Sequence, residues 1–132
     1  MIYIILIIFV FFTLIIGFQF FLITKSKAMK GKEIDFQKVR PELREKFKND
    51  KTIVYFYSPT CTACKYQTPI IEKLKSEKFN TISIDVSKDL ATARVFGIMG
   101  TPTIALMKGN LIHEFFVGYQ DEEKLKESYN RL

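Results

Sequence analysis

The chain opens on an uninterrupted apolar run. Residues 1–24 carry no charged side chain, and residues 2–23 are almost entirely apolar. Those 22 positions, as a helix rising 1.5 Å per residue, reach about 33 Å, close to the ~30 Å hydrocarbon core of a bilayer. Beyond it the pattern changes. Residues 33–50 are polar, with Ile34, Phe36, Val39, Leu43 and Phe47 as the apolar positions. They predict a lead-in with a strand near Ile34 and a helix from Pro41 to about Lys48, stopped by Asn49 and Asp50. Residues 52–58 are rich in Ile, Val, Tyr and Phe without strict alternation, as in a central strand covered on both faces.

Ser58, Pro59 and Thr60 break that strand, and a helix follows over residues 61–76. Tyr66, Ile70 and Leu74 mark one face of it, while Lys65, Glu72, Lys73 and Lys75 point to water. Pro69 lies inside this helix and predicts a kink about two turns in. Residues 80–86 read as a second buried strand. Ser87 is the expected N-cap of a short helix over residues 89–96, which Gly97 closes. Gly100, Thr101 and Pro102 form a sharp break before a third strand at 103–107. Lys108, Gly109 and Asn110 turn the chain into a fourth strand at 111–117, ended by Gly118. Asp121, Glu122 and Glu123 open a last helix, with Leu125 and Tyr129 inward and Arg131 near its carbonyl end. The βα units favour parallel pairing and the hairpin adds antiparallel strands. An α/β domain with a mixed central sheet and helices on both faces is the expectation.

Composition changes how the first run is read. All 20 basic and 14 acidic residues of the 132-residue chain lie beyond it, and six of the 13 phenylalanines lie within it. A cleaved signal peptide begins with a basic region, has a shorter apolar core and ends in small residues. Here the basic start is absent, the run is longer, and residues 25–30 hold no A-x-A-like site. The expectation is an uncleaved transmembrane anchor over residues 1–24, a basic linker over 25–32 and one domain over 33–132. The positive-inside bias of Lys25, Lys27, Lys30 and Lys32 predicts a single-pass protein with a cytoplasmic domain, an extracytoplasmic one being the alternative. The same lysines suit a lipid bilayer as partner, through anionic headgroups. Setting these four aside leaves sixteen basic residues against the fourteen acids, too balanced for a nucleic-acid surface despite the net +6.

Candidate chemistry rests on Cys61 and Cys64, the two cysteines of the chain, three apart at a helix start. That spacing reads as a dithiol that cycles with a disulfide, against a structural staple or two free thiols. Half of a zinc site is disfavoured further, because four ligands are needed and His113, the one histidine, sits in another element. No metal or other cofactor is expected. A nucleophilic cysteine must be exposed and partly ionised, and the free N–H groups of a helix start favour a thiolate at Cys61. Cys64, one turn further in, is the natural resolving thiol. Tyr57 and Tyr66 either border the pair or are core aromatics, and His113 reads as a structural or exposed residue.

The stretch Val54-Tyr-Phe-Tyr-Ser-Pro-Thr-Cys-Thr-Ala-Cys-Lys65, followed by Pro69, Asp85, Ala93-Arg-Val-Phe-Gly-Ile-Met-Gly-Thr-Pro-Thr103 and Gly118, resembles the thioredoxin family from Lys51 onward. The resemblance implies a thioredoxin-like three-layer α/β/α fold, with Cys61 as nucleophile and Cys64 as resolving cysteine. It also implies a cis Thr101–Pro102 bond beside the dithiol, with the Thr101 backbone and Pro102 meeting substrate chain. Two departures stand out. Tyr55 occupies the place of the family's buried aspartate, and Ser83 that of the lysine beside it. Thr60 replaces the tryptophan before the pair, and Thr62-Ala63 stand inside it. Loss of the carboxylate predicts that Cys64 gives its proton to water or substrate.

The expected function is a thiol–disulfide oxidoreductase acting on disulfides of membrane-associated or nearby proteins, served by a partner dithiol/disulfide reductase or oxidase. The alternative from another class is a redox-sensitive binding or scaffold module on the same fold.

Overall fold

A computed structural model describes residues 1–48 and 50–132, the side chains of residues 22 and 25–27 lying outside the description. Helix α1 runs from Ile2 to Met29. Every described side chain from Ile2 to Thr24 is exposed. Residues Ile2–Phe21 are long and apolar enough to cross a membrane, by length and composition. The helix does not stop where the charges begin. It continues through the lysine-bearing turn, and Met29 packs against the domain core.

The lead-in is less regular than its apolar spacing predicts. Helix α2 is a single turn, Pro41–Arg44, opened by the proline at its start. One 3-10 turn precedes it (Phe36–Lys38) and another follows (Lys46–Lys48). The predicted stop at Asn49 lies outside the described residues. Near Ile34 there is no full strand. Glu33 makes an isolated antiparallel bridge to Leu111, and the Ile34 N–H donates to the Asn110 carbonyl at 2.8 Å.

Four strands form the mixed sheet: β1 (Lys51–Tyr57), β2 (Thr81–Asp85), β3 (Thr103–Lys108) and β4 (Leu111–Val117). Their order is β2-β1-β3-β4, with β1 parallel to β2 and antiparallel to β3, and β3 antiparallel to β4. Strand β1 is central, and Thr52 through Phe56 are all buried. Alternate residues divide between two cores. Ile53 and Tyr55 join Ile104 and Leu106 under Ile71 and Leu74 of α3 (Thr62–Ser76) and Leu125 of α5 (Glu122–Asn130). Val54 and Phe56 join Ile84, Ala105 and Met107 on the other face, under Leu43, Phe47 and Phe96. Phe96 closes α4 (Leu90–Val95), and Phe47 stacks between Phe36 and Phe96 at ring centroid distances of 4.9 and 5.9 Å. This is the α/β/α arrangement expected.

Two local expectations are corrected. Asp89, rather than Ser87, caps α4: its Oδ1 accepts from the Thr92 N–H at 3.1 Å, while the Ser87 hydroxyl donates to Asp85 at 2.6 Å. A cap must sit immediately before the first helical residue to reach the free N–H groups, and Asp89 does. On α3 the inward face is Cys64, Gln67, Ile71 and Leu74. Tyr66 is 69% exposed, because the helix is rotated to bury the cysteine and a glutamine that an apolar count passes over. Pro69 lies within α3, which continues through it to Ser76.

Candidate active site

Both loops that matter emerge at one end of the sheet. Strand β1 finishes at Tyr57, and because β3 runs against it, Thr103 stands beside Phe56 and Val117 beside Thr103. Cys61, Pro102 and Gly118 therefore all follow or precede strand ends on the same side. The Gly118 N–H donates to the Pro102 carbonyl at 2.8 Å, tying the two loops together, and Gly118 has φ +91, a conformation that side chains rarely adopt. The Thr101–Pro102 bond is cis, as the resemblance implies, and Pro102 is buried while Thr101 is half-buried. The Thr103 hydroxyl donates to the Gly100 carbonyl at 2.8 Å, bracing the loop from its far side.

Cys61 and Cys64 are joined as a disulfide, with Cα atoms 5.2 Å apart. Cys61 is the N-cap of α3. Its backbone is extended and its Sγ accepts from the Cys64 N–H at 3.1 Å. A sulfur so placed meets the positive end of the helix through a specific donor as well as the macrodipole. The turn that delivers it is closed by the Cys61 N–H on the Ser58 carbonyl at 3.1 Å and by a Ser58–Thr60 hydroxyl contact at 3.1 Å. The two cysteines differ in access: Cys61 is half-buried, whereas Cys64 is 3% exposed.

Behind the pair stands a phenol. Tyr55 is 1% exposed, and its hydroxyl lies 3.3 Å from the Cys64 carbonyl, to which it can donate, and 2.9 Å from the Thr68 hydroxyl. Burial pushes the Tyr55 phenol above its ordinary value, partly offset by the Thr68 hydrogen bond. Tyr55 is thus a neutral hydrogen-bonding group at neutral pH. Its direct neighbour across β1 and β2 is Ser83, so the two departures from the resemblance stand side by side. Tyr57 stacks on Tyr55 at 5.5 Å.

The sequence reading missed Gln67. It is fully buried, and its side chain makes a paired clamp on Gln120. Nε2 donates to the Gln120 carbonyl at 3.1 Å, and Oε1 accepts from the Gln120 N–H at 2.7 Å. This fixes the loop after β4 against the helix that carries the cysteines. The spacing of Gln67, three residues after Cys64 and four before Ile71, is the signal that was present. Tyr119, on the same loop, lines a shallow hollow of about 310 Å³ with Tyr66 and Ala63. Tyr66 thus borders the site from outside the core, and His113 stays in mid-β4 away from the dithiol end. Among the described residues, no three side chains of the kinds that bind metals gather to hold an ion.

Residues 32–131 match the family described as Thioredoxin. The chain is 34% identical over 79 residues to thioredoxin of Bacillus subtilis (strain 168), covering 58% of this chain and 76% of that protein. It is 32% identical over 78 residues to thioredoxin of Staphylococcus saprophyticus, covering 57% and 75%. Among solved structures, a mutant thioredoxin from Halobacterium salinarum NRC-1 superposes with a TM-score of 0.58 at 33% identity, covering 63% of this chain and 74% of that one.

Proposed function

Since the chain belongs to the thioredoxin family, we propose that it is a membrane-anchored protein-disulfide oxidoreductase in which Cys61 attacks and Cys64 resolves. The Cys61–Cys64 pair is a thiol–disulfide oxidoreductase centre. The observation that supports the division of roles is the difference in exposure between the two residues, with Cys61 half-buried at the helix cap and Cys64 3% exposed.

Starting from the dithiol, the Cys61 thiolate attacks one sulfur of a substrate disulfide. A mixed disulfide forms and the other substrate sulfur leaves as a thiolate. Cys64 then loses its proton and attacks Cys61 Sγ. The second substrate thiolate departs, and the Cys61–Cys64 disulfide is left with two electrons transferred to substrate. A partner dithiol reductase restores the starting state, and a partner oxidase would run the cycle in reverse. The Cys64 N–H, 3.1 Å from Cys61 Sγ, favours the attacking thiolate. Tyr55, held neutral by burial, is no base for Cys64, so that proton goes to water or to the departing substrate thiolate. The Thr101 backbone and Pro102 receive the substrate chain beside the dithiol.

Residues 1–24 act as a single-pass anchor and residues 33–132 as the catalytic domain, with 25–32 joining them as the last turns of α1 and the short run after it. The lysines at 25, 27, 30 and 32 keep that domain in the cytoplasm. There it reduces disulfides of proteins at the membrane.

The Cys64→Ser chain is expected to accumulate a mixed disulfide with substrate proteins through Cys61, and the Cys61→Ser chain none. Non-reducing electrophoresis with mass spectrometry reads both. Normal function of the Cys61→Ser chain in cells would instead point to a binding module. Labelling of Cys61 in intact cells by a membrane-impermeant thiol reagent would overturn the cytoplasmic placement.

A further inference from the structure

The anchor helix joins the domain at the end of the sheet that carries the dithiol. Followed backward from Ile34, the chain climbs β4. The Ile34 N–H donates to Asn110, Ile112 donates to the Lys32 carbonyl at 3.0 Å, and Gly31 donates to the Ile112 carbonyl at 2.7 Å. Lys30 pairs with Glu114 at 2.8 Å, and Met29 Sδ lies 3.0 Å from where a Cβ on Gly97 would stand. Strand β4 ends at Val117, next to Gly118 and its bond to Pro102.

Between this helix end and the loop before Pro102 lies a groove of about 670 Å³. Its apolar surface comes from Ala28, Met29, Ile98, Met99, Phe115 and Val117, and Gly100, the residue before Thr101 in the chain, also lines it. Lys32 and Arg94 also line it, and among the described residues no acidic one does. Among the described residues neither cation is in an ion pair, in contrast to Lys30. Resting on the anchored reading above, depth follows as well. Ala28 is four residues past Thr24, about 6 Å of helix, within the roughly 5–8 Å of headgroup layer on each side of a bilayer.

We propose that this groove seats the juxtamembrane segment of a membrane-anchored substrate, an extended polypeptide of apolar and acidic residues whose disulfide is thereby delivered to Cys61. The volume suits a few side chains. Lys32 and Arg94, in no ion pair among the described residues, complement carboxylates. Gly100 lies next to Thr101 in the chain, so a polypeptide bound in the groove lies beside the loop proposed to meet substrate, which favours polypeptide over lipid.

The test uses the full chain, reduced beforehand, in nanodiscs of zwitterionic lipid. The probe is a single-span peptide bearing a disulfide in an acidic, apolar juxtamembrane segment, and a soluble peptide disulfide reports the dithiol itself. Lys32→Glu combined with Arg94→Glu is expected to slow reduction of the membrane-borne probe about tenfold. The soluble rate stays unchanged, and a probe with lysines in place of its acids recovers the rate in the double variant. An undiminished rate on the acidic membrane-borne probe overturns the proposal, as does an equal loss on both probes. A loss seen only when anionic lipid is present overturns it too, and assigns the groove to lipid headgroups. A chain that fails to co-purify with the discs removes the anchor and the proposal with it. A soluble probe left oxidised counts against the redox reading, so the three failures are distinguishable.

Discussion

Gln67 shows how much one side chain carries at this site. Both of its polar atoms are spent on the Gln120 backbone, 53 residues away. Gln67→Leu keeps the bulk and leaves the Gln120 groups unpaired, at an expected cost of about 1–2 kcal/mol. Urea unfolding of the full chain in detergent measures it, with faster amide exchange at Gln120 as the local signature. Tyr55→Phe removes a hydroxyl bonded at the Cys64 carbonyl and Thr68, and about 1 kcal/mol is expected to go with it. Burial raises the Tyr55 phenol, so its contribution is intact below the unfolded tyrosine value of about 10 and declines as pH rises past it. The Phe variant should lose less stability between neutral and alkaline pH than the parent, read by urea midpoints across that range. The dithiol was legible from its spacing along the chain, and the cis Thr101–Pro102 bond only through the family resemblance. Gln67 was not, because a lone glutamine reads as surface until the loop that pairs with it is known.

At the scale of elements, α4 depends on one carboxylate. Asp89 is 3% exposed, caps α4 and receives Arg40 Nε at 2.6 Å, which links the lead-in to the helix. Desolvation alone would raise its carboxyl. The hydrogen bonds from Thr92 and the Arg40 guanidinium outweigh it and hold Asp89 below the usual carboxylate range. A depressed folded value means the stabilisation is present above the unfolded value of about 3.9 and is lost as pH falls through the folded one. Acid unfolding of the full chain should therefore be shallower for Asp89→Asn, which keeps an N-cap without the titrating charge. Asp89→Ala also loses the cap and should cost about 1–2 kcal/mol at neutral pH by urea unfolding. Element types were largely legible, since β1 is a dense run of β-branched and aromatic residues, α3 has helical periodicity and the β3–β4 hairpin has turn chemistry. The α4 cap was not, because Ser87 and Asp89 are both good caps and only the backbone path decides which one meets the free N–H groups.

For the whole molecule, the decisive contrast is between an apolar helix exposed on every described side and a small domain with two covered cores. On the anchored reading proposed above, a full chain bearing Ile8→Arg and Phe12→Arg should lose carbonate-resistant membrane association, each arginine adding about 2.5–3.5 kcal/mol to insertion at mid-span. Resistance equal to the parent's would count against the anchor. Local features follow directly from the order of residues: an unbroken apolar run, a dithiol at a helix start, and turns that place strands and helices in order. Tertiary structure alone decided which side chains meet. It buried Gln67 beneath Gln120 and brought α1 up along β4 to the dithiol end of the sheet. Those outcomes rest on strand register and on pairings between residues some 50 to 80 positions apart, such as Lys32 with Ile112, and local periodicity carries no information about partners so distant.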